Sequence, residues 1–176
     1  MGSTVTLDGV RGAPRVRLPG TREWVELTPD SPVPVGAIVD ATHGMVALTS
    51  VRDRSGRTQT GKFWGGMFQV KQSKRDGVTE LVLKGAMPTC KRRGQVSASR
   101  KKKRGRRLWG SDRGGRFRTR GRNGSATVRG TKWLTEERCK GTYFKVTQGA
   151  IDVRAKGRKK PIRLKRGQSR LIKSRR

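Results

Sequence analysis

The residue types that could support catalysis are scarce in this sequence. His43 is the one histidine, in a Thr-His-Gly run between two predicted strands, and the carboxylates are scattered with no obvious acid/base pair. A turn histidine is the favoured interpretation, because general acid–base catalysis needs a partner within hydrogen-bond reach. Cys90 and Cys139 also lack the sequence context of a nucleophile with a partner base. The sequence therefore predicts a protein that is not an enzyme.

Two cysteines and one histidine are also too few for a metal cage. A structural zinc site needs four protein ligands, so we expect neither a bound metal nor another cofactor. The residues alone leave open whether Cys90 and Cys139 are free thiols or a pair. A disulfide closing a loop of roughly fifty residues would stabilise the fold by about 3–4 kcal/mol in an oxidising compartment.

Positive charge is the dominant chemical feature. The chain has 44 Lys and Arg against 12 Asp and Glu, a formal net charge of +32. Residues 91–122 carry fifteen basic side chains and one acidic one, and residues 154–176 carry twelve basic and none acidic, whereas residues 1–89 are close to balanced. A potential of this size attracts polyanions with a strong salt dependence. The predicted partner is a polyanion, and charge alone does not choose among DNA or RNA, a teichoic-type polymer of the envelope and an anionic membrane.

The candidate polyanion-binding residues come from these basic stretches. In Arg100–Arg107 seven of eight residues are cationic, and a flexible array of that kind reaches several phosphates at once. Trp109 and Phe117 lie nearby and either stack on bases or pack in the core, and core packing is the favoured interpretation. The predicted contacts are Lys91, Arg92, Arg93, Arg100, Lys101, Lys102, Lys103, Arg104, Arg106, Arg107, Arg158, Lys159 and Lys160.

Short runs of alternating apolar and polar residues, separated by Gly and Pro, predict strands throughout. No segment shows helical periodicity. The expected fold is all-β, a sandwich or roll of many short antiparallel strands in two halves. The predicted strands are Thr4–Leu7, Arg15–Leu18, Trp24–Leu27, Ala37–Val39, Met45–Thr49, Met67–Lys71, Thr79–Leu83, Gly115–Thr119, Ala126–Val128, Thr131–Leu134, Thr142–Thr147, Ala150–Arg154, Ile162–Leu164 and Ser169–Ile172.

The strand pattern divides the chain. Residues 1–89 form the predicted first half, 90–114 a disordered basic insertion, 115–172 the second half and 173–176 a basic tail. The pattern F-x-V-x-Q occurs at residues 68–72 and 144–148 and hints at duplication. The glycine pairs at 65–66 and 114–115 match no phosphate-binding fingerprint and are predicted hairpin turns, as is Asp8-Gly9.

The second half resembles the closing half of the FecR domain family. The residues that carry the resemblance are Ala126-Thr127-Val128-Arg129-Gly130-Thr131-Lys132-Trp133, Gly141-Thr142, Val146–Val153 and Leu164–Gln168, which follow "VRGT-aromatic", "GT…V…G.V.V" and "L..GQ". Residues 33–41 and 44–49 are similar to the opening half. Gly130 and Gly149 permit bulges or corners, with Val128, Trp133, Phe144, Val146, Ile151 and Val153 pointing inward.

The resemblance implies an all-β domain outside the cytoplasm, and it favours a disulfide between Cys90 and Cys139. It does not imply the family's signal relay, because this sequence has no transmembrane or anti-sigma part. Without a run of about eighteen apolar residues or a basic-apolar leader, the sequence predicts no membrane span and shows no signal peptide. We expect a secreted or cell-envelope interaction module, with an intracellular nucleic-acid-binding protein as the alternative.

Overall fold

The computed structural model describes residues 2–90, 105–128 and 130–174, and these contain strands and turns but no helix. The predicted all-β class is confirmed. The strands are β1 (Thr4–Arg11), β2 (Arg15–Arg17), β3 (Val25–Glu26), β4 (Ser31–Pro34), β5 (Ile38–Asp40), β6 (Met45–Val51), β7 (Thr58–Trp64), β8 (Met67–Gln72), β9 (Thr79–Lys84), β10 (Arg107–Asp112), β11 (Phe117–Arg120), β12 (Gly124–Val128), β13 (Lys132–Arg138), β14 (Gly141–Gln148), β15 (Ala150–Ala155), β16 (Ile162–Lys165) and β17 (Ser169–Lys173).

Two large sheets pack face to face. Sheet A has eight strands in the order β17-β14-β13-β10-β7-β6-β1-β4, and sheet B has nine in the order β16-β15-β12-β11-β9-β8-β5-β2-β3. Buried and more accessible positions alternate along the strands, as in β6 and β10. That alternation is what a half-buried strand requires. Neighbours are antiparallel except β9 and β11, which pair in parallel with Thr79 opposite Phe117.

The two halves are not separate units. Sheet A continues from β7 of the first half through β10 to β13 of the second half, and sheet B crosses from one half to the other through β9 and β11. The two copies of F-x-V-x-Q lie on β8 in sheet B and on β14 in sheet A. The pentapeptide therefore does not mark equivalent strands of a duplication.

Aromatic rings fill the centre between the sheets. Phe63 of sheet A contacts Phe117 of sheet B with ring centroids 5.3 Å apart, and it contacts Trp133 at 6.1 Å. The Trp133 indole donates a hydrogen bond to the Thr119 hydroxyl over 3.0 Å, so burial of its N–H is compensated. All six inward side chains predicted from the second half are buried: Val128, Trp133, Phe144, Val146, Ile151 and Val153.

The glycine pairs carry the chain between the sheets rather than forming hairpins. Gly65 and Gly66 connect β7 of sheet A to β8 of sheet B, and Gly114 and Gly115 connect β10 to β11. A Cβ on Gly66 would lie 1.6 Å from the Arg107 carbonyl oxygen, so no other residue fits without a backbone shift. Gly130 and Gly149 make further corners at positive φ, as predicted.

Three strands were not predicted, and one of them lies inside the predicted insertion. β4, β7 and β10 are absent from the predicted set, and β10 lies inside the range 90–114. Residues 107–112 are thus an interior strand of sheet A, with Leu108, Gly110 and Asp112 directed inward. Residues 91–104 lie outside the described residues. The predicted turn at Asp8-Gly9 is wrong, because both residues belong to β1.

Candidate polyanion interface

Two loops of the second half meet at the end of sheet B. The first is the turn Gly121–Asn123 between β11 and β12, and the second is the segment from Lys156 to Pro161 between β15 and β16. They meet because β12 and β15 pair antiparallel, which places Gly124 opposite Ala155. The Lys156 backbone N–H donates to the Asn123 carbonyl oxygen over 2.8 Å. Basic residues distant in sequence are thereby brought together.

A buried carboxylate holds the first loop in place. The Oε1 atom of Glu137, whose side chain is buried on β13, accepts hydrogen bonds from the Arg122 backbone N–H at 2.5 Å and from the Thr142 hydroxyl at 3.1 Å. Thr142 also accepts from the Asn123 N–H at 3.0 Å. A Cβ at Gly121 would lie 2.4 Å from Glu137 Oε1, so the turn needs glycine there. Hydrogen bonds to Glu137 and Thr142 therefore hold the turn that carries Arg122.

The two loops and β17 form adjoining grooves of about 330 Å³ and 610 Å³, which share Ala155 and Arg158. We call their cationic lining the basic end face. No carboxylate lines either groove. The cations of this face are Arg120, Arg122, Arg154, Lys156, Arg158, Lys159, Lys160, Arg170 and Lys173.

Most of this charge is uncompensated. Arg120 makes an ion pair with Glu80 on β9 at 2.8 Å. Within the described ranges the other eight cations of the basic end face make no ion pair. Loosely solvated cations on neighbouring turns can each contact a phosphate, sulfate or carboxylate of one polymer chain.

The predicted contacts fall into three groups. Arg158, Lys159 and Lys160 belong to the basic end face and are exposed. Arg106 and Arg107 lie elsewhere and are half-buried: their Nε atoms donate to the carbonyl oxygens of Gly85 at 2.5 Å and Gly65 at 3.3 Å. These two side chains stabilise the backbone after β9 and between β7 and β8. Lys91, Arg92, Arg93, Arg100, Lys101, Lys102, Lys103 and Arg104 lie outside the described residues.

Sequence reasoning missed six members of the basic end face. They are Arg120, Arg122, Arg154, Lys156, Arg170 and Lys173. All six fall in the basic regions 91–122 and 154–176, so the composition contained part of the signal. Arg120 and Arg122 could not be added without knowing that β12 pairs with β15.

The two cysteines are paired. Cys90 and Cys139 form a disulfide with a Cα–Cα distance of 5.5 Å, which fits ordinary disulfide geometry. The bridge lines a groove of about 200 Å³ together with Arg122 and Ser174, so it lies beside the basic end face. Cys90 directly precedes Lys91. The disulfide thus holds Cys90 near this face.

The titratable side chains of His43 and Asp112 lie at separate places in the fold. His43 is exposed in the connection between β5 and β6, as its Thr-His-Gly context predicted. Asp112 accepts backbone N–H bonds from Gly115 at 2.6 Å and from Thr131 at 3.1 Å. Burial raises the pKa of its carboxyl above the ordinary value. These hydrogen bonds connect the corner between β10 and β11 to the corner between β12 and β13. The part of the chain that the structure covers has no cluster of three or more potential metal ligands.

The two aromatic residues near the basic stretch have different environments. Phe117 is buried in the core, as predicted. Trp109 is half-buried on the outer face of sheet A, where its ring is nearly parallel to that of Trp64 at a centroid distance of 6.1 Å. Core packing is therefore confirmed for Phe117 and is wrong for Trp109.

Comparison with known proteins gives no relative: no family model, no curated protein and no solved structure matches this chain. The resemblance to the FecR domain family therefore stays a prediction. No helix among the described residues is long and apolar enough to cross a membrane.

Proposed function

We propose that this chain is a non-catalytic interaction or scaffold module of the cell envelope that binds an anionic polymer. The observation that carries the proposal is the basic end face, where nine cations line adjoining grooves without a carboxylate. Repulsion among like charges at this density is unfavourable in the free protein, and a polyanion relieves it while releasing its own counterions. Binding of this kind depends on charge density rather than on one specific contact.

The disulfide supports an envelope or secreted location. Structural disulfides persist in oxidising compartments and are rare in the cytosol. Cys90 and Cys139 are 49 positions apart, and their bridge closes a loop that includes the strands β10 to β13. Such a compartment offers teichoic-type polymers and acidic polysaccharides as partners. The resemblance to the FecR family implies the same location.

The alternative is an intracellular nucleic-acid-binding protein. It is favoured by the same end face, because a phosphate backbone is the densest common polyanion in cells. It predicts tight binding to duplex or single strands with a steep decrease as salt rises. The disulfide counts against it, since the cytosol keeps thiols reduced.

Titration of the oxidised protein with a poly(glycerol phosphate) chain and with duplex DNA of equal charge tests the proposal. The key variant replaces Arg158, Lys159 and Lys160 with Gln. Its control replaces Lys71, Lys74 and Arg75 with Gln, which removes the same charge from another exposed site. We expect the plot of log K against log salt to become shallower by about 0.9 per lost phosphate contact in the first variant only.

The two readings of the basic end face separate in the same experiment. Preference for poly(glycerol phosphate) at physiological salt supports the envelope module, whereas tighter binding to DNA supports the alternative. Equal losses in the two triple variants would show that binding follows net charge alone and would contradict the end face as the site.

A further inference from the structure

The outer face of sheet A carries an aromatic platform that the basic end face does not explain. Five side chains of this face lie directly opposite one another on adjacent strands, in the order Met45, Trp64, Trp109, Leu134 and Lys145. Leu134 is buried, Lys145 is exposed and the other three are half-buried. The two indoles at the centre of this row are nearly parallel, with an angle of 6° between their planes. An outward row of large apolar side chains on a sheet flanked by charge is typical of an interaction surface.

Cations and hydroxyls continue from the platform along the same strands. Lys132 approaches the Trp64 ring, with Nζ 5.6 Å from its centroid. One row further along β7 and β10, Lys62 lies opposite Ser111. Beyond them, Thr60 and Thr49 exchange a hydrogen bond between their hydroxyls at 2.8 Å. The surface changes from aromatic to cationic and hydroxylated over a few residues.

A groove of about 570 Å³ opens at the end of this track, where β10 leaves the sheet. Arg52, Lys62 and Arg113 line it together with the hydroxyls of Thr58 and Ser111. Asp112 is the one carboxylate of the lining, and backbone N–H groups already occupy it. From Trp64 to Thr58 the track runs for about 20 Å at the rise of a β-strand. The face is thus elongated, cationic and bounded by indoles at one end.

We propose that this face binds an acidic polysaccharide. The two indoles are stacked on each other, and the part of each half-buried ring that stays accessible presents apolar surface to a sugar ring, while Lys and Arg groups neutralise its carboxylates. The hydroxyls favour a sugar over a nucleic acid, because a hydroxyl both donates and accepts hydrogen bonds, as sugar hydroxyls do. A phosphate backbone only accepts, and the cations here alternate with hydroxyls instead of forming a dense array. The face is distinct from the basic end face, and the proposal does not depend on binding there.

The test uses an oligomer of galacturonic acid and the same oligomer with methyl-esterified carboxylates, measured by calorimetry. Trp64→Ala and Trp109→Ala are expected to weaken binding of the acidic oligomer about tenfold or more, comparable to stacking losses on aromatic side chains. Trp24→Ala is the matched control, because Trp24 is also half-buried but packs near Arg15 and Arg17 of sheet B. We expect the control to bind like the wild type.

Lys132→Gln leaves both indoles in place, so it tests the site even if the tryptophan variants fail to fold. It should weaken the acidic oligomer and leave the weaker binding of the esterified one unchanged. The variant with Gln at positions 158, 159 and 160 should retain full binding, which separates this site from the basic end face. Absence of acidic-oligomer binding, equal binding of the ester, or tighter tryptophan-dependent binding of oligothymidylate would each overturn the proposal.

Discussion

Removing the disulfide should cost this fold a large part of its stability. The bridge between Cys90 and Cys139 closes a loop of 49 residues' separation. The chain-entropy relation gives about 4 kcal/mol at 25 °C for a loop of this length. A domain of ordinary stability has about 5–15 kcal/mol in total, so the reduced protein should keep only about 1–11 kcal/mol.

The measurement is urea denaturation of the oxidised wild type and of a variant with Ser at both positions. We expect the midpoint to fall while the slope with denaturant rises, because the unlinked unfolded chain exposes more surface. Ser at both positions avoids a new buried polar group, since both cysteines are exposed. The wild type in reductant serves as the control and should match the variant. A loss below about 1 kcal/mol would refute the view that the bridge acts by restricting the unfolded chain.

Three other changes test the way the corners and the end face are held. Burial raises the Asp112 pKa, so the folded state binds the proton of this carboxyl more readily than the unfolded state does. In urea melts, the stability of the wild type relative to Asp112→Asn should therefore rise as the pH falls from 7 to 4. A stability difference that does not change with pH would contradict the burial argument. Gly66→Ala should lower the free energy of unfolding by about 2–4 kcal/mol in the same assay, because the added Cβ would clash with the Arg107 carbonyl oxygen. Gly9→Ala is the control: its Cβ would lie 3.4 Å from Pro14, and the loss should be under about 1 kcal/mol. Glu137→Ala should lower the free energy of unfolding by about 1–3 kcal/mol, because it removes the acceptor of the Arg122 backbone N–H. It should also weaken polyanion binding, although the net positive charge rises. Stronger binding would show that the turn carrying Arg122 does not need the Glu137 carboxylate.

Strands with apolar alternation could be read from the sequence, and strands without it could not. β6 and β15 alternate clearly, so their positions were predicted within two residues. β7 reads Thr-Gln-Thr-Gly-Lys before its first aromatic residue, and its inward positions include the buried Gln59, so it lacks the apolar signal. Gln59 is accommodated by a hydrogen bond from the Arg116 backbone N–H at 2.5 Å. Only the tertiary structure supplies that partner.

β10 could not be predicted from the sequence for a different reason. It follows a run of cations and its inward residues are Leu108, Gly110 and Asp112, one apolar side chain out of three. Gly110 is required because a Cβ there would lie 2.5 Å from the Trp133 ring. A glycine and an aspartate inside a strand are turn signals in sequence reasoning. Here both serve the packing of neighbouring segments, which one sequence does not reveal.

The cations near the end face have two roles that the topology separates. β16 and β17 are the edge strands of the two sheets, and charged side chains on edge strands discourage pairing with another chain. Arg163 and Lys165 on β16 serve that purpose whether or not a ligand exists. Arg122 and Arg158 lie on turns, where there is no strand edge to protect. Their charge has no such role in the fold, so binding of a polyanion is the explanation we give for the turn cations, whereas Arg170 and Lys173 on β17 serve both purposes.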